Sequence, residues 1–169
     1  MGEMKNLVSQ DAIAKIKEMA GDLDVCMLCT NLGAKPFNAC PMSTQQVEDD
    51  GTIWFLSGKD SNHNADIKRD DAVQLIYSSK QSTAEYMSVF GSAEIVFNRM
   101  KAKELFDQIE KTWFPGGVED PNLSLIKFTP KEGYYWDTKS GALVAFAKMA
   151  ISSVTSLKMD DGVSGKLKI

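Results

Sequence analysis

One stretch of the chain combines residue types that can hold a phosphate group. Residues 52–56 form an apolar, aromatic run, and Ser57, Lys59, Ser61, Asn62 and His63 follow within a polar segment. The pattern predicts a strand that leads into the first turn of a helix. Backbone N–H groups at a helix N-terminus, with Ser, Asn and Lys side chains beside them, attract phosphate because they present donors and positive potential.

Three cysteines and the single histidine could be taken for a zinc site. Cys26, Cys29, Cys40 and His63 have superficially suitable spacing. However, residues 25–30 have the pattern of a buried strand, in which positions i and i+3 point to opposite faces and cannot share one tetrahedral metal. A thioredoxin-type pair would open a helix, and none is indicated here. We interpret the cysteines as small core residues in a reducing cytoplasm.

Protein-based nucleophilic catalysis is not indicated either. The histidine has no serine or cysteine in a recognisable nucleophile motif, and Gly-x-Ser-x-Gly is absent from the sequence. The carboxylates are scattered through turns, so no acid–base pair can be identified. The sequence therefore supports no hydrolase mechanism.

The composition is that of a single soluble globular domain. The chain has 169 residues, of which 43% are apolar and 25% charged, so we predict one domain over residues 1–169. A formal net charge of −4 argues against a nucleic-acid partner. No apolar run has membrane-spanning length and no signal-peptide core is present, so we expect a cytoplasmic protein without a membrane partner.

The hydrophobic pattern predicts a first helix followed by many short strands. We expect a helix that begins after Ser9 as its cap, runs to residue 20 and stops at Gly21. Further helices are predicted over residues 61–69, 99–113 and 143–157. Strands are predicted over residues 24–31, 36–47, 52–57, 72–78, 85–97, 123–129, 133–136 and 166–169. Pro41 indicates an edge or a bulge, and Gly91 a bend or a close backbone approach. This pattern favours a mainly β, α+β fold built on a small barrel.

Five short motifs support a more specific assignment. They occupy residues 40–42, 53–57, 86–93, 113–121 and 135–137. In this order they resemble the flavin-binding split-barrel superfamily of pyridoxamine 5'-phosphate oxidase, and within it the general stress protein branch. The resemblance implies a six-stranded antiparallel split β-barrel with flanking helices. It also implies a homodimer that binds flavin mononucleotide (FMN), with FAD as the alternative, in clefts shared between the subunits.

The resemblance also implies a set of cofactor-binding residues. The backbone around Met42 and Ser43 would hydrogen-bond the edge of the isoalloxazine ring. The phosphate would be held by backbone amides together with Ser57, Lys59, Ser61, Asn62 and His63. The complete set is Pro41, Met42, Ser43, Phe55, Ser57, Lys59, Ser61, Asn62, His63, Ser88 and Trp136.

Two positions depart from the family pattern. Cys40 stands where relatives carry Arg in an Arg-Pro-Met motif, and His63 replaces a phosphate-binding Lys. The chain contains only two arginines, Arg69 and Arg99, so bidentate phosphate contacts are scarce. We interpret His63 either as a titrating phosphate ligand or as a polar residue near a helix start. Cys40 is either a cleft position or a filled barrel position.

The tryptophans are open to more than one interpretation, because aromatic residues at strand spacing are more often core than cofactor wall. We place Trp54 in the core or a dimer interface, and Trp136 in either the flavin cleft or the core. Trp113 is interpreted as the anchor of the Pro-Gly-Gly loop that follows it, a loop that could border the cleft in the dimer.

Two functions remain open at this point. The first is an FMN-dependent oxidoreductase acting on an unknown small molecule, in which the flavin supplies the chemistry and the protein the orientation. The second is a non-catalytic stress protein that uses the same barrel to bind flavin or another ligand.

Overall fold

The computed structural model describes residues 3–79, 85–106, 112–138 and 162–169, which form three helices and ten strands. The helices are α1 (Gln10–Leu23), α2 (Asn62–Arg69) and α3 (Arg99–Leu105). The strands are β1 (Glu3–Met4), β2 (Leu7–Val8), β3 (Val25–Thr30), β4 (Asn38–Ser43), β5 (Gln46–Val47), β6 (Ile53–Gly58), β7 (Ala72–Ser78), β8 (Tyr86–Val96), β9 (Leu123–Thr138) and β10 (Gly162–Lys168). The predicted mainly β, α+β class is confirmed.

One sheet contains all ten strands, and a path of six antiparallel strands runs through it. The path is β4–β3–β7–β8–β9–β6. Strand β9 pairs with β8 on one side and, on the other, with β6 in its first half and β10 in its second. The sheet is mixed, unlike the antiparallel barrel that the resemblance implies, because the two-residue strands β1 and β2 join β10 in parallel. Within the described residues no ladder joins β4 to β6, so the sheet is not closed.

Helix α1 buries the apolar stripe that its sequence predicts, but its ends differ from the prediction. Its buried residues are Ala12, Ile13, Ile16, Met19 and Ala20. The Ser9 side chain makes no capping hydrogen bond. Gly21 lies inside the helix, which ends at Leu23 before Asp24 with φ 56°. One glycine costs a helix only about 1 kcal/mol, and burial of the apolar stripe offsets that cost.

Residues 123–138 form one strand where the sequence predicts two. Pro130 interrupts the pattern because it has no N–H to donate. In the structure Pro130 lies opposite Gly91, where the register of β8 shifts at a bulge after Phe90, and bulges tolerate proline. The close backbone approach predicted at Gly91 is present, because a Cβ there would overlap the carbonyl oxygen of Thr129.

Helix α3 is shorter than predicted. Asn98 caps it by accepting a hydrogen bond from the Lys101 N–H at 3.0 Å, and it ends at Leu105 because Phe106 is extended, with ψ 123°. Trp113, the predicted last residue, lies in a turn. The helix predicted over residues 143–157 falls outside the described residues. In the part of the chain that is described, no helix combines the length and apolar character needed to cross a bilayer.

Strand β6 is buried on both faces and joins two hydrophobic clusters. Ile53 and Phe55 belong to the main cluster, which fills the space between α1 and the inner face of the sheet. Trp54 and Leu56 belong to a second cluster, which they share with α3. Burial on both faces explains why β6 reads as a continuous apolar run instead of an alternating one. A short polar turn connects the end of β6 to the start of α2.

Candidate functional site

Polar side chains gather where β6 meets the N-terminus of α2. Ser61 is the N-cap of α2, and its Oγ accepts a hydrogen bond from the Asn64 N–H at 3.3 Å. Near the end of β6, the Oγ of Ser57 lies 2.7 Å from His63 Nε2 and 3.4 Å from Ser61 Oγ. The strand-to-helix junction that the sequence predicts is therefore present, with Ser57 in contact with both Ser61 and His63.

The direction of each hydrogen bond in this cluster can be assigned from the number of protons available. Ser124 Oγ donates its only proton to the Ser57 carbonyl oxygen at 3.0 Å, so it accepts from Asn64 Nδ2 at 2.8 Å. Asn64 Oδ1 is then the acceptor for the Ser57 hydroxyl at 2.7 Å. Ser57 Oγ, having given its proton to Asn64, accepts one from His63 Nε2. The network therefore selects the His63 tautomer that is protonated on Nε2.

The other imidazole nitrogen of His63 faces Cys40. Sγ of Cys40 lies 3.5 Å from His63 Nδ1, and with the proton on Nε2, Nδ1 is an acceptor for the thiol. Burial lowers the pKa of His63, opposed by the nearby carboxylate of Asp66; burial also raises the pKa of the Cys40 thiol. This network holds a neutral imidazole beside a protonated thiol, not the charged side chain that a phosphate-binding Lys would provide.

A buried carboxylate fixes α2 on the hairpin of β3 and β4. Asp66, 2% exposed, accepts hydrogen bonds from Asn38 Nδ2 at 2.7 Å and Thr30 Oγ1 at 2.9 Å, and it forms an ion pair with Arg69. The bond from Asn38 contributes most to a lowered pKa of Asp66, followed by those from Thr30 and Arg69, while burial acts in the opposite direction. Because Asp66 lies one turn after His63, these bonds also set the position of the imidazole.

A cavity of about 420 Å³ opens between β4 and this cluster. We call it the hairpin cavity. Five of the residues predicted to bind cofactor line it: Pro41, Met42, Ser43, Ser57 and His63. The structure thus brings the Pro-Met-Ser segment of β4 and the β6–α2 junction to one opening, although they are far apart in sequence.

Six predicted residues lie outside the lining of the hairpin cavity, and four of them belong to β6, to the turn after it or to the start of α2. Phe55 is fully buried in the main cluster, so its side chain does not line this cavity. Phe55 and Leu56 point to opposite faces of the strand, and Leu56 lines the cavity instead. Lys59 and Asn62 are exposed beyond the end of β6. Ser61 stands behind Ser57, as the helix cap.

Ser88 and Trp136 line a different cavity, of about 550 Å³, on the outer face of the sheet. We call it the outer-face cavity. A row of directly paired residues crosses that face in the order Pro41, Met27, Ile76, Ser88. Three strand spacings separate Pro41 from Ser88, which is about 14 Å. Within one chain, the predicted site is therefore divided between two openings.

The loop at residues 113–116 contributes an aromatic residue that the sequence interpretation assigned to a different role. Trp113 lines the hairpin cavity and is 76% exposed, whereas the next residue, Phe114, is 7% exposed and packs in the second cluster. Phe114, not Trp113, is the anchor of the loop. Asp120 holds the following turn by accepting hydrogen bonds from the N–H groups of Gly116 at 3.0 Å and Asn122 at 2.9 Å. Adjacent aromatic residues before a Pro-Gly-Gly turn could have signalled one buried and one presented ring.

The remaining aromatic and sulfur positions agree with core roles. Trp54 is 7% exposed, and its Nε1 donates to Glu48 Oε1 at 2.9 Å. Cys26 and Cys29 are buried free thiols, and burial raises the pKa of Cys26 to about 12. Trp136 is instead 46% exposed and packs against Tyr134 with the two rings tilted by 47° and their centroids 4.6 Å apart.

Comparisons with known proteins give a consistent result. The family described as pyridoxamine 5'-phosphate oxidase like matches residues 11–160, whereas no curated protein matches the chain. A protein described as a general stress protein 26 from Jannaschia sp. CCS1 shares the fold, with a TM-score of 0.77, 24% identity, and 95% of this chain and 99% of that chain covered.

A second solved structure, the general stress FMN/FAD binding protein from Xanthomonas citri, has a TM-score of 0.65 and 26% identity, covering 77% of this chain and 90% of that one. General stress protein 26 from Bacillus anthracis str. Sterne has a TM-score of 0.62 and 23% identity, covering 73% and 92%. The family match extends over most of the chain, and the similar structures share its fold. The chain therefore belongs to the pyridoxamine 5'-phosphate oxidase like family.

Proposed function

We propose that the protein binds FMN, with the ring system in the hairpin cavity and the phosphate toward the start of α2. The observation that carries the proposal is the convergence of Pro41, Met42 and Ser43 with Ser57 and His63 on one opening. A cavity of about 420 Å³ lies in the range of small-molecule sites, and a largely apolar wall with a few convergent polar groups is typical of them.

The donors for a phosphate lie at one end of this cavity. The first N–H groups of a helix have no acceptor within the helix; Ser61 caps that of Asn64, which leaves those of Asn62 and His63 to a ligand. The helix dipole favours an anion at the same place. Lys59 is exposed next to this end and could approach a phosphate from solvent. These groups fit a phosphate, although the charge they supply is small.

We further propose that the six-strand path forms one split-barrel domain and that two chains pair through its outer face. That face carries Met27, Ile76, Tyr86 and Trp136, which are 39–46% exposed. Such a cluster of exposed apolar side chains on one sheet face is expected to be covered. In a two-fold pair, the outer-face cavity of one protomer can face the hairpin cavity of its partner. Ser88 and Trp136 would then complete the flavin site across the interface.

The chemistry that we propose is flavin-dependent oxidoreduction of a small molecule. When bound, the flavin supplies hydride or electron transfer, and the protein needs only to bind and orient the reactants. A flavin-binding protein without catalytic activity is the second candidate. It is favoured by the replacement of two cationic family positions by Cys40 and His63, which leaves a neutral pair at the phosphate end.

Titrating FMN into the purified protein and recording the visible flavin spectrum tests the proposal. Saturable perturbation of the spectrum, at one flavin per chain, is the expected result. A spectrum that stays that of free FMN at millimolar flavin would reject the proposal.

The affinity for FMN should depend on the protonation of His63. Because burial lowers the pKa of His63, its imidazole becomes a cation only as the pH falls below its ordinary value near 6.5, and a bound phosphate opposes that lowering. A charge-assisted contact contributes roughly 1.5–3 kcal/mol, so FMN should bind about tenfold to a hundredfold tighter at acid than at alkaline pH.

Two variants test whether His63 is the cause of this pH dependence. His63→Ala should show a flat profile at the alkaline affinity, and His63→Lys a flat profile at the higher affinity. Binding is measured by equilibrium dialysis, with riboflavin as a control for any change in the protein that does not involve phosphate. Parallel profiles for the wild type and His63→Ala would show that His63 does not contact the phosphate.

A further inference from the structure

We infer that the hairpin cavity recognises the flavin ring system and discriminates little between phosphorylated and unphosphorylated flavins, with Trp113 as the residue that stacks on the ring. The inference rests on the proposed flavin binding and concerns which part of the flavin the site recognises. Its consequence is a ligand class: neutral flavins, such as riboflavin, bind at neutral pH about as well as FMN.

The first observation is the charge of the cavity. Among the described residues that line it, none is Lys or Arg, and His63 is the one basic side chain. Both nitrogens of that imidazole are already engaged, by Ser57 Oγ at 2.7 Å and by Cys40 Sγ at 3.5 Å. The charged group closest to it on its own helix is the carboxylate of Asp66, and the element packed against it contributes the neutral thiol of Cys40. A dianion entering the cavity therefore meets no fixed positive side chain.

The second observation is that the side-chain donors of Ser57, Asn64 and Ser124 at the phosphate end are committed within the protein. The Ser57 hydroxyl donates to Asn64 Oδ1, and Ser124 Oγ donates to the Ser57 carbonyl. To donate to a phosphate, Ser57 would have to leave Asn64 with an unsatisfied buried oxygen, and Asn64 is fully buried. The cost of that loss offsets most of what a new bond would contribute.

The third observation is the position of Trp113. Trp113 is 76% exposed and lines the cavity, while Phe114 and Asp120 fix the backbone on its C-terminal side. A tryptophan presented by a fixed turn needs little rearrangement to receive a planar ring, so stacking removes its apolar surface from water at small entropic cost. Stacking of an aromatic side chain on a heterocycle accounts for about a tenfold change in affinity or more.

The experiment compares FMN and riboflavin at pH 8 with wild type, Trp113→Ala and Trp113→Phe. Binding is followed by flavin fluorescence anisotropy and by quenching of tryptophan fluorescence. We expect wild-type affinities for the two flavins within about threefold of each other. Trp113→Ala should weaken both by about tenfold and remove most of the quenching, and Trp113→Phe should retain an intermediate affinity. Trp54→Phe, which changes a buried indole outside the cavity lining, is the control and should leave the affinities unchanged.

The outcomes separate this inference from the proposed function. FMN binding more than about thirtyfold tighter than riboflavin, or flavin affinities unaffected in Trp113→Ala, would overturn the inference and leave flavin binding standing. Failure of both flavins to bind the folded wild-type protein would overturn the proposed function and the inference together. Because Trp113 is exposed, its variants should melt within a few degrees of the wild type, which confirms that a loss of affinity is not a loss of fold.

Discussion

Replacing Asp66 by Ala should lower the free energy of unfolding by about 3 kcal/mol, the largest stability effect that we expect from one side chain. The substitution leaves the buried Thr30 hydroxyl and the Asn38 amide without their acceptor and removes the ion pair with Arg69. Losing one partner of a buried, hydrogen-bonded charge costs several kcal/mol. The variant should also bind FMN more weakly, because α2 would no longer be fixed on β3 and β4.

Urea unfolding measures this effect, and a neighbouring carboxylate provides the control. Asp71 is exposed, so Asp71→Ala should change the stability by less than about 0.5 kcal/mol. Asp66→Asn keeps one oxygen that can accept from Thr30 and Asn38, so its free energy of unfolding should fall less than that of Asp66→Ala. An Asp66→Ala protein as stable as Asp71→Ala would contradict the role assigned to this carboxylate.

The same carboxylate makes the fold sensitive to acid, in a direction that follows from its pKa. The folded-state pKa of Asp66 is lowered, chiefly by the hydrogen bond from Asn38. Its contribution to stability is therefore fully present above the unfolded value of about 3.9 and is lost as the pH falls through the folded value. The difference in stability between wild type and Asp66→Asn should narrow as the pH is lowered below about 4.

Cys40→Arg should tighten the binding of FMN by about tenfold to a hundredfold and leave riboflavin affinity nearly unchanged. Cys40 Sγ lies 3.5 Å from His63 Nδ1, so its side chain points toward the phosphate end of the proposed site. A guanidinium placed there would add the planar donors that the family motif supplies and that this chain lacks. In the variant, the site would therefore bind the phosphate as well as the flavin ring.

Cys40→Arg could instead destabilise the fold. Cys40 is half-buried and packs against the main cluster, and an Arg directed into that cluster would bury an unpaired charge. A thermal melt separates the two cases. Greater stabilisation by FMN than in wild type supports the cleft position, whereas a melting temperature lowered equally with and without FMN would contradict it. Cys40→Met is the matched control, because Met resembles the aliphatic part of the Arg side chain but carries no charge.

Much of the fold could be predicted because its signals are local. The run of apolar residues in β6, followed by the Ser61 cap, predicts the strand and helix that the structure contains, since a continuous apolar run and a capping serine are both signals carried by adjacent residues. The boundaries that differ have non-local causes. Pro130 continues a strand only because Gly91 lies opposite it at a bulge, and β1 and β2 exist only through pairing with β10.

The candidate site was predictable in part for the same reason. Motifs place Pro41, Met42, Ser43, Ser57 and His63 together, and the hairpin cavity contains all five. Ser88 lies apart from these residues because two strands separate β4 from β8. The spacing of the motifs along the chain does not reveal this order of strands. The charge state of His63 depends on a hydrogen-bond network that reaches Ser124, in a strand remote in sequence.

Sedimentation of the protein with FMN, detected in the visible flavin band, tests the central claim most directly, because it reports binding and assembly together. The proposed dimer with a flavin cleft across its interface predicts that flavin absorbance sediments with a species of twice the chain mass of 18.6 kDa, at two FMN per dimer. Flavin that sediments stoichiometrically with a monomer would contradict the shared cleft, and flavin that remains free in the presence of folded protein would contradict the proposed function itself.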